Sequence, residues 1–234
     1  MITAASNSRI KRLVQLNQKS KLRRTEDVFL AEGVKMFLEA PRKQLQEVYV
    51  SESFLEKCSC REHLEEVGYE VVSDSVFSKI SDTCTPQGVL CVLKQFHYNI
   101  EEMLRDKAPL FLLLENIQDP GNLGTMLRTG EGAGVSGIIM SRDTVDLYNP
   151  KVIRSTMGSI YRVPFYYADD FAAAVHQVQQ AGVSVYAAHL RGKNSYACQD
   201  YTKGTAFLIG NEGNGLREET AELADCYIRI PMEG

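Results

Sequence analysis

The run Leu110, Phe111, Leu112, Leu113, Leu114 constrains this chain most: five apolar residues without polar alternation, entered from Pro109 and ended by Glu115. A strand with one wet face alternates apolar and polar residues. An unbroken run belongs to a strand covered on both faces, and such strands occur in parallel sheets packed between helices. Similar runs cover residues 137–140, 163–167, 183–188, 206–209 and 227–230, with helical stretches between them. In one of these, residues 171–181, Phe171, Val175 and Val178 share a face. The second half therefore reads as α/β with a parallel sheet.

The first half is patterned differently. Short strand candidates at residues 28–30, 48–50, 70–72 and 89–93 alternate with helical candidates at 34–40, stopped by Pro41, and 53–67, stopped by Gly68. This is the pattern of a small α/β domain. Residues 95–107 are polar and charged, with a short helical stretch at 100–105, and read as a connection. The expected division is thus a domain over 1–94, a linker over 95–108 and a second domain over 109–234. A chain of 234 residues can support two cores without staples.

Charge is distributed unevenly. Residues 1–24 hold seven lysines and arginines and no acid, so a net charge of −4 less this +7 leaves −11 on the remainder. A basic segment on an acidic body suits an approach to phosphates, which makes Arg9, Lys11, Arg12, Arg23 and Arg24 candidate phosphate contacts. The competing reading is a solvated helix, since Ile10, Leu13 and Val14 have helical spacing. Six scattered cysteines without a secretory pattern point to reduced thiols and a cytoplasmic location. Cys58 and Cys60 lack a second ligand pair, so no metal is expected. No apolar run approaches the roughly 20 residues that span a bilayer.

In open parallel sheets ligands sit beyond the carboxyl ends of the strands. Three loops leave apolar runs there: 115–128, 210–216 and 230–234. Gly132, Gly134 and Gly137 spell a dinucleotide-binding pattern, but a helical stretch precedes them and a strand follows, the reverse of the required order. They read as a helix stop and a turn. Asp119-Pro120-Gly121-Asn122 reads as a turn into a helix with Asn122 suited to cap it, and Arg128 lies less than two turns further on. On spacing alone a cap plus a surface arginine is the better account, since caps are far commoner than active sites. Gly210, Gly213 and Gly215 follow a buried strand and allow close backbone approach to a ligand; Glu212, Glu218 and Glu219 favour a neutral or cationic one over phosphate.

Asp119-Pro-x-Asn122-x-Gly124-x3-Arg128, Gly210-Asn-Glu-Gly-x-Gly-Leu216 and Ile230-Pro-Met-x-Gly234, in this order, resemble the three motifs of the SpoU (TrmH) RNA ribose methyltransferases of the SPOUT superfamily. The likeness extends over almost the whole chain. Phe29-Leu-Ala-Glu32-Gly33 and the segment to Leu93 resemble a ribosomal-protein-like substrate-binding domain, and Asn149-Pro-Lys-Val-Ile-Arg154-Ser-x-x-Gly158-Ser159 matches an internal stretch of the family.

The resemblance implies a deep trefoil knot in the second domain, a homodimer, and S-adenosylmethionine bound by Ala188, Gly210, Ile230 and Met232, with Asn211 and Gly215 shaping the loop. It implies methyl transfer to a ribose 2′-hydroxyl of RNA, ribosomal RNA first and transfer RNA second. Asn122 becomes a positioning residue, Arg128 the catalytic arginine and Glu212 an organiser of the site. A guanidinium is a poor proton acceptor, so Arg128 reads better as an anchor for phosphate or developing alkoxide, with Glu212 or water taking the proton. The family's third motif continues past the glycine, whereas this sequence stops at Gly234; the tail is missing, which leaves completion of the knot open. The alternative function is a non-catalytic RNA-binding protein that kept the fold.

Overall fold

The computed structural model describes residues 1–231; Met232, expected to contact a cofactor, and Gly234 lie outside the described residues. The chain forms two compact units, one of Met1–Phe96 with Asp146–Tyr161, the other of residues 97–145 with those from 162 on.

The first unit opens with helices α1 (Ser8–Gln18) and α2 (Ser20–Glu26). Asn7 caps α1 by accepting from Arg9 N at 2.9 Å, and Lys19, extended at φ −118° and ψ 104°, separates the two helices. There follow β1 (Val28–Glu32), α3 (Val34–Leu38), β2 (Leu45–Ser51), α4 (Glu52–Lys57), α5 (Arg61–Val67), β3 (Glu70–Val72), α6 (Asp74–Ile80) and β4 (Val89–Lys94). The sheet order is β1-β4-β2-β3, with β4 antiparallel to β1 and β2, and β3 parallel to β2. Ile10, Leu13 and Leu16 of α1 pack with Leu30, Tyr49, Phe77 and Val92 in one core. The single helix expected over 53–67 is two, because Cys58 turns extended between α4 and α5.

The basic segment is therefore folded, not a free arm. Arg23 is 3% exposed: its Nη1 donates to the carbonyls of Leu16 at 2.7 Å and Asn17 at 3.1 Å, and its Nη2 to Asp146 at 2.5 Å. Arg12 donates to Glu26 at 2.7 Å and Glu47 at 2.8 Å. Both are paired with carboxylates of the fold, Arg23 almost wholly buried and Arg12 with 30% of its side chain exposed. Arg9 pairs with Glu70 at 3.3 Å on the surface, while Lys11 and Arg24 are exposed.

The second unit begins with α7 (Ile100–Met103), β5 (Leu110–Leu114), α8 (Pro120–Ala133) and β6 (Gly137–Ser141). The chain then contributes residues 146–161, with α9 (Pro150–Thr156), to the first unit. Two tyrosines fasten this return: Tyr148 Oη accepts from Phe96 N at 2.7 Å with its ring 4.8 Å from that of Phe29, and Tyr161 Oη donates to Met36 O at 3.0 Å. Then come β7 (Phe165–Ala168), α10 (Phe171–Gln180), β8 (Ser184–Ala188), β9 (Asn194–Ser195), β10 (Thr205–Ile209), α11 (Glu218–Ala221) and β11 (Cys226–Arg229).

These strands form a sheet in the order β7-β6-β5-β10-β8-β11-β9, and every pairing is parallel. The unbroken apolar run sits near its centre as β5, covered by a core that includes Val175 and Val178 of α10. β11 lies between β8 and β9, which are consecutive in the chain, so residues 189–193 pass the carboxyl end of β11. There His189 N donates to Ile228 O at 3.0 Å. Among the described residues no helix is long and apolar enough to cross a membrane, and no cluster of His, Cys, Asp and Glu could hold a metal.

Removing the Arg23 side chain strands one carboxylate and two carbonyls. Arg23→Ala should cost about 2–4 kcal/mol in urea unfolding, below the full penalty of a broken buried pair because Asp146 keeps some water. Lys21→Ala, at an exposed position, should change stability by less than about 0.5 kcal/mol.

Candidate active site

Because the sheet is parallel, the carboxyl ends of β5, β10, β8 and β11 lie side by side along one edge. Ala188 ends β8, Gly210 follows β10 and Ile230 follows β11, so three of the expected cofactor contacts fall on neighbouring strand ends.

The loops after β5 and β10 are joined by one carboxylate. Glu212 accepts from the backbone N–H of Gln118 at 3.1 Å and of Asp119 at 3.0 Å, and from Nδ2 of Asn122 at 3.1 Å. Asp119, not Asn122, caps α8: its side chain accepts from Asn122 N at 2.8 Å, with Pro120 at the first helical position. This leaves the Asn122 amide free to reach Glu212. Partial burial alone would raise the Glu212 carboxyl, but the donors from Gln118, Asp119 and Asn122 outweigh it and hold the group below the usual carboxylate range. A carboxylate so held is a weak base, which favours the organising role for Glu212 over proton removal.

The glycine loop is shaped by its own backbone. Asn211 and Gly215 exchange N–H···O bonds at 3.0 and 2.9 Å, and Asn211 Oδ1 accepts from the N–H of Gly213 and Asn214, both at 3.0 Å. Asn211 Nδ2 donates to Asn116 O at 2.9 Å, tying the loop to the end of β5. A Cβ on Gly210 would lie 2.2 Å from Leu216 N. Gly210 is thus demanded by the loop's return, which narrows the expectation that its glycines serve a ligand. Gly215, at φ +70°, supplies the left-handed turn, whereas a Cβ on Gly213 would meet only Asn211 Oδ1 within 4 Å.

Arg128 is exposed on α8, six residues beyond Asn122 and hence about 9 Å further along the axis. Its side chain makes no hydrogen bond or ion pair with a described residue, Glu212 included. The sequence pattern did not single out Gln118, Asp143 or Arg217, and it marked Glu115 only as the stop of an apolar run. Glu115 is 1% exposed and accepts from Arg217 N at 2.8 Å and Thr220 Oγ1 at 2.5 Å. A carboxylate ending a wholly apolar strand was the available signal. In the first unit, a cleft of about 430 Å³ is lined by Glu32, Lys35, Asp82, Gln87, Arg154 and Met157.

Loops fastened together at the carboxyl edge of a parallel sheet define an α/β protein of the kind whose ligands sit beyond the strand ends. Residues 109–234 match the model of the SpoU rRNA Methylase family, and residues 7–91 match the MRM3-like substrate binding domain. The chain is 30% identical over 236 residues to the 23S rRNA (guanosine(2553)-2'-O)-methyltransferase RlmP of Bacillus subtilis, covering 100% of this chain and 91% of that protein. The AdoMet-bound rRNA methyltransferase from Sinorhizobium meliloti superposes with TM-score 0.84 at 30% identity, over 100% of this chain and 89% of that one. The SpoU methyltransferase AviRb from Streptomyces viridochromogenes, 24% identical, shares the fold at TM-score 0.87 over 97% and 90%. The chain belongs to the SpoU rRNA methylase family.

Since the folded-state carboxyl of Glu212 is depressed, its contribution to stability is complete above its ordinary value of 4.5 and is lost as pH falls through the folded value. Glu212→Gln should therefore flatten the acid limb of stability against pH below 4.5, read by thermal unfolding. An acid limb of unchanged slope would show that the Gln118, Asp119 and Asn122 donors do not act on this carboxylate.

Proposed function

We propose that this chain transfers a methyl group from S-adenosylmethionine to a ribose 2′-hydroxyl of RNA, ribosomal RNA before transfer RNA. One observation carries the reading: Glu212 fastens the glycine loop after β10 to the start of α8, at the strand ends where the family motifs fall. The relative RlmP and the AdoMet-bound Sinorhizobium protein support the substrate class and the cofactor.

The residues present fit that cofactor. Ala188 and Gly210 are half-buried at adjoining strand ends, and Ile230 is 52% exposed beside them, offering backbone polar groups and an apolar surface for a nucleoside. When bound, the cofactor supplies an electrophilic methyl group. Ala188, Gly210, Ile230 and Met232 would hold it, with Asn211 and Gly215 keeping the loop in shape. Asn122 and Glu212 orient the loop after β5. On the exposed side of α8 the Arg128 guanidinium anchors a backbone phosphate or the developing alkoxide. The hydroxyl proton leaves to water, since the Glu212 oxygens are occupied by donors.

A knotted closure belongs to the same reading, supported by the insertion of β11 between β8 and β9. So does a homodimer, supported by the exposed apolar side chains of Leu190, Tyr196 and Ile230. A cytoplasmic setting is supported by six cysteines, none of which forms a disulfide among the described residues.

Arg128→Ala should lower kcat/KM by about 10²–10³-fold, the loss of one positioned charge donor. Calorimetry should show the affinity for S-adenosylmethionine essentially unchanged. Near-normal turnover would remove Arg128 from the reaction, and a wild-type chain that binds no S-adenosylmethionine would favour the non-catalytic alternative. RNA contacts from the first unit fall to its exposed cations. Lys11→Ala and Arg24→Ala should each reduce the salt slope of RNA binding by about one, as the loss of one phosphate contact does; an unchanged slope for both returns α1 and α2 to a solvated face.

A further inference from the structure

We infer that Arg217, clamped between Glu115 and Asp143, is a positioning residue that holds the glycine loop so that Glu212 stays on the Gln118, Asp119 and Asn122 donors. This deepens the methyltransfer reading and rests on it only for its kinetic arm. The contacts form a connected set. Glu115, at the end of β5, receives Arg217 N at 2.8 Å on Oε2, Thr220 Oγ1 at 2.5 Å on Oε1, and Arg217 Nη1 at 3.5 Å on Oε1. Arg217 Nη2 donates to Asp143 Oδ2. Asp143 in turn accepts from Ser141 Oγ at 2.5 Å on its carboxylate, and its carbonyl accepts from Gln118 Nε2 at 2.6 Å. Ser141 Oγ also accepts from Asn116 N at 2.8 Å, and Asn116 O receives Asn211 Nδ2 at 2.9 Å.

The loop 210–217 is thereby pinned at both ends: through Asn211 to the loop after β5, and through Arg217 to that loop and the one after β6. Glu212 lies between the pins. Its own donors are backbone N–H groups of residues 118 and 119, which point correctly only if the loop after β5 keeps its path. That path is unusual, since Asn116 holds φ +54° without being glycine, a conformation that surrounding contacts must enforce. A buried carboxylate is costly unless each oxygen is occupied, and replacing such a pair by apolar groups is often neutral for stability. Here both oxygens of Glu115 are spent on one arginine and one threonine of the same segment, which directs the network at the loop rather than at the core. Arg217 keeps its backbone bond to Glu115 when its side chain is shortened, so the strut can be removed while that anchor remains.

The first measurement is amide hydrogen exchange at Gln118 and Asp119, with no ligand. Arg217→Ala should accelerate both by about tenfold, a coupling ordinary for groups in one network. Arg217→Lys should restore part of the protection, and Glu222→Ala, exposed and outside this network, should leave exchange at both amides unchanged. The second is kinetic. Arg217→Ala should raise KM for S-adenosylmethionine about tenfold, and combined with Glu212→Gln it should add little further loss. Exchange at Gln118 and Asp119 unchanged in Arg217→Ala overturns the inference, as does a KM effect fully additive with Glu212→Gln. A wild-type chain that binds no S-adenosylmethionine overturns the methyltransfer reading instead, while the exchange experiment still decides the role of Arg217.

Discussion

Two loops that leave different strands of a parallel sheet have no reason to share a geometry unless something charged connects them. In the second unit that connection is the Glu212 carboxylate, which takes the N–H groups of Gln118 and Asp119 just before α8 and the side chain of Asn122 within its first turn. Orphan N–H groups and the positive end of the helix favour an anion at this place. The fold supplies it from another loop and leaves the capping of Asn122 N to Asp119. The consequence is chemical as well as structural. A carboxylate that satisfies donors in the resting protein is spent as a proton acceptor, which is why the proposed reaction gives Glu212 an organising role and not that of general base.

The sheet itself was legible because its signal is local. An apolar run such as 110–114 calls for cover on both faces, and the parallel order with helices between follows from that requirement, although Leu110 and Leu112 on one face are only half-buried. Stops were legible for the same reason: α3 ends before Pro41, and α8 ends on Gly134, which disposed of the dinucleotide-like glycine pattern. Less legible was anything decided by partners far along the chain. Nothing in residues 146–161 announces that they join the first unit, since the tyrosine hydroxyls that hold them act on backbone groups of Phe96 and Met36. The charge count of the first 24 residues was correct, but a count does not distinguish Arg23, enclosed by carbonyls and Asp146, from Arg24, which is exposed.

The candidate site shows the same division. Asn122 and Glu212 were identifiable through their motifs, and they meet. Arg128 was identified on the same grounds, and its exposed side chain has no described partner. Gly210 was identified for one reason and is required for another. A motif records that a residue type is needed, and only geometry says whether the missing Cβ makes room for a ligand or for the loop's own return at Leu216.

Burial also separates the two kinds of carboxylate in this unit. Glu115 is almost wholly buried with both oxygens occupied from within one short segment, whereas Glu212 is exposed and collects donors from a loop about 90 residues earlier. The buried group can be rigid because apolar neighbours exclude competing water; the exposed one cannot be, since water competes for each of its donors. Precision at Glu212 must then come from the stiffness of the backbone that carries its partners. Arg217 spans Glu115 and Asp143 and so carries the rigidity of the buried carboxylate outward to the exposed one. An edge of a parallel sheet can in this way stay open to a ligand and still hold its polar groups in register.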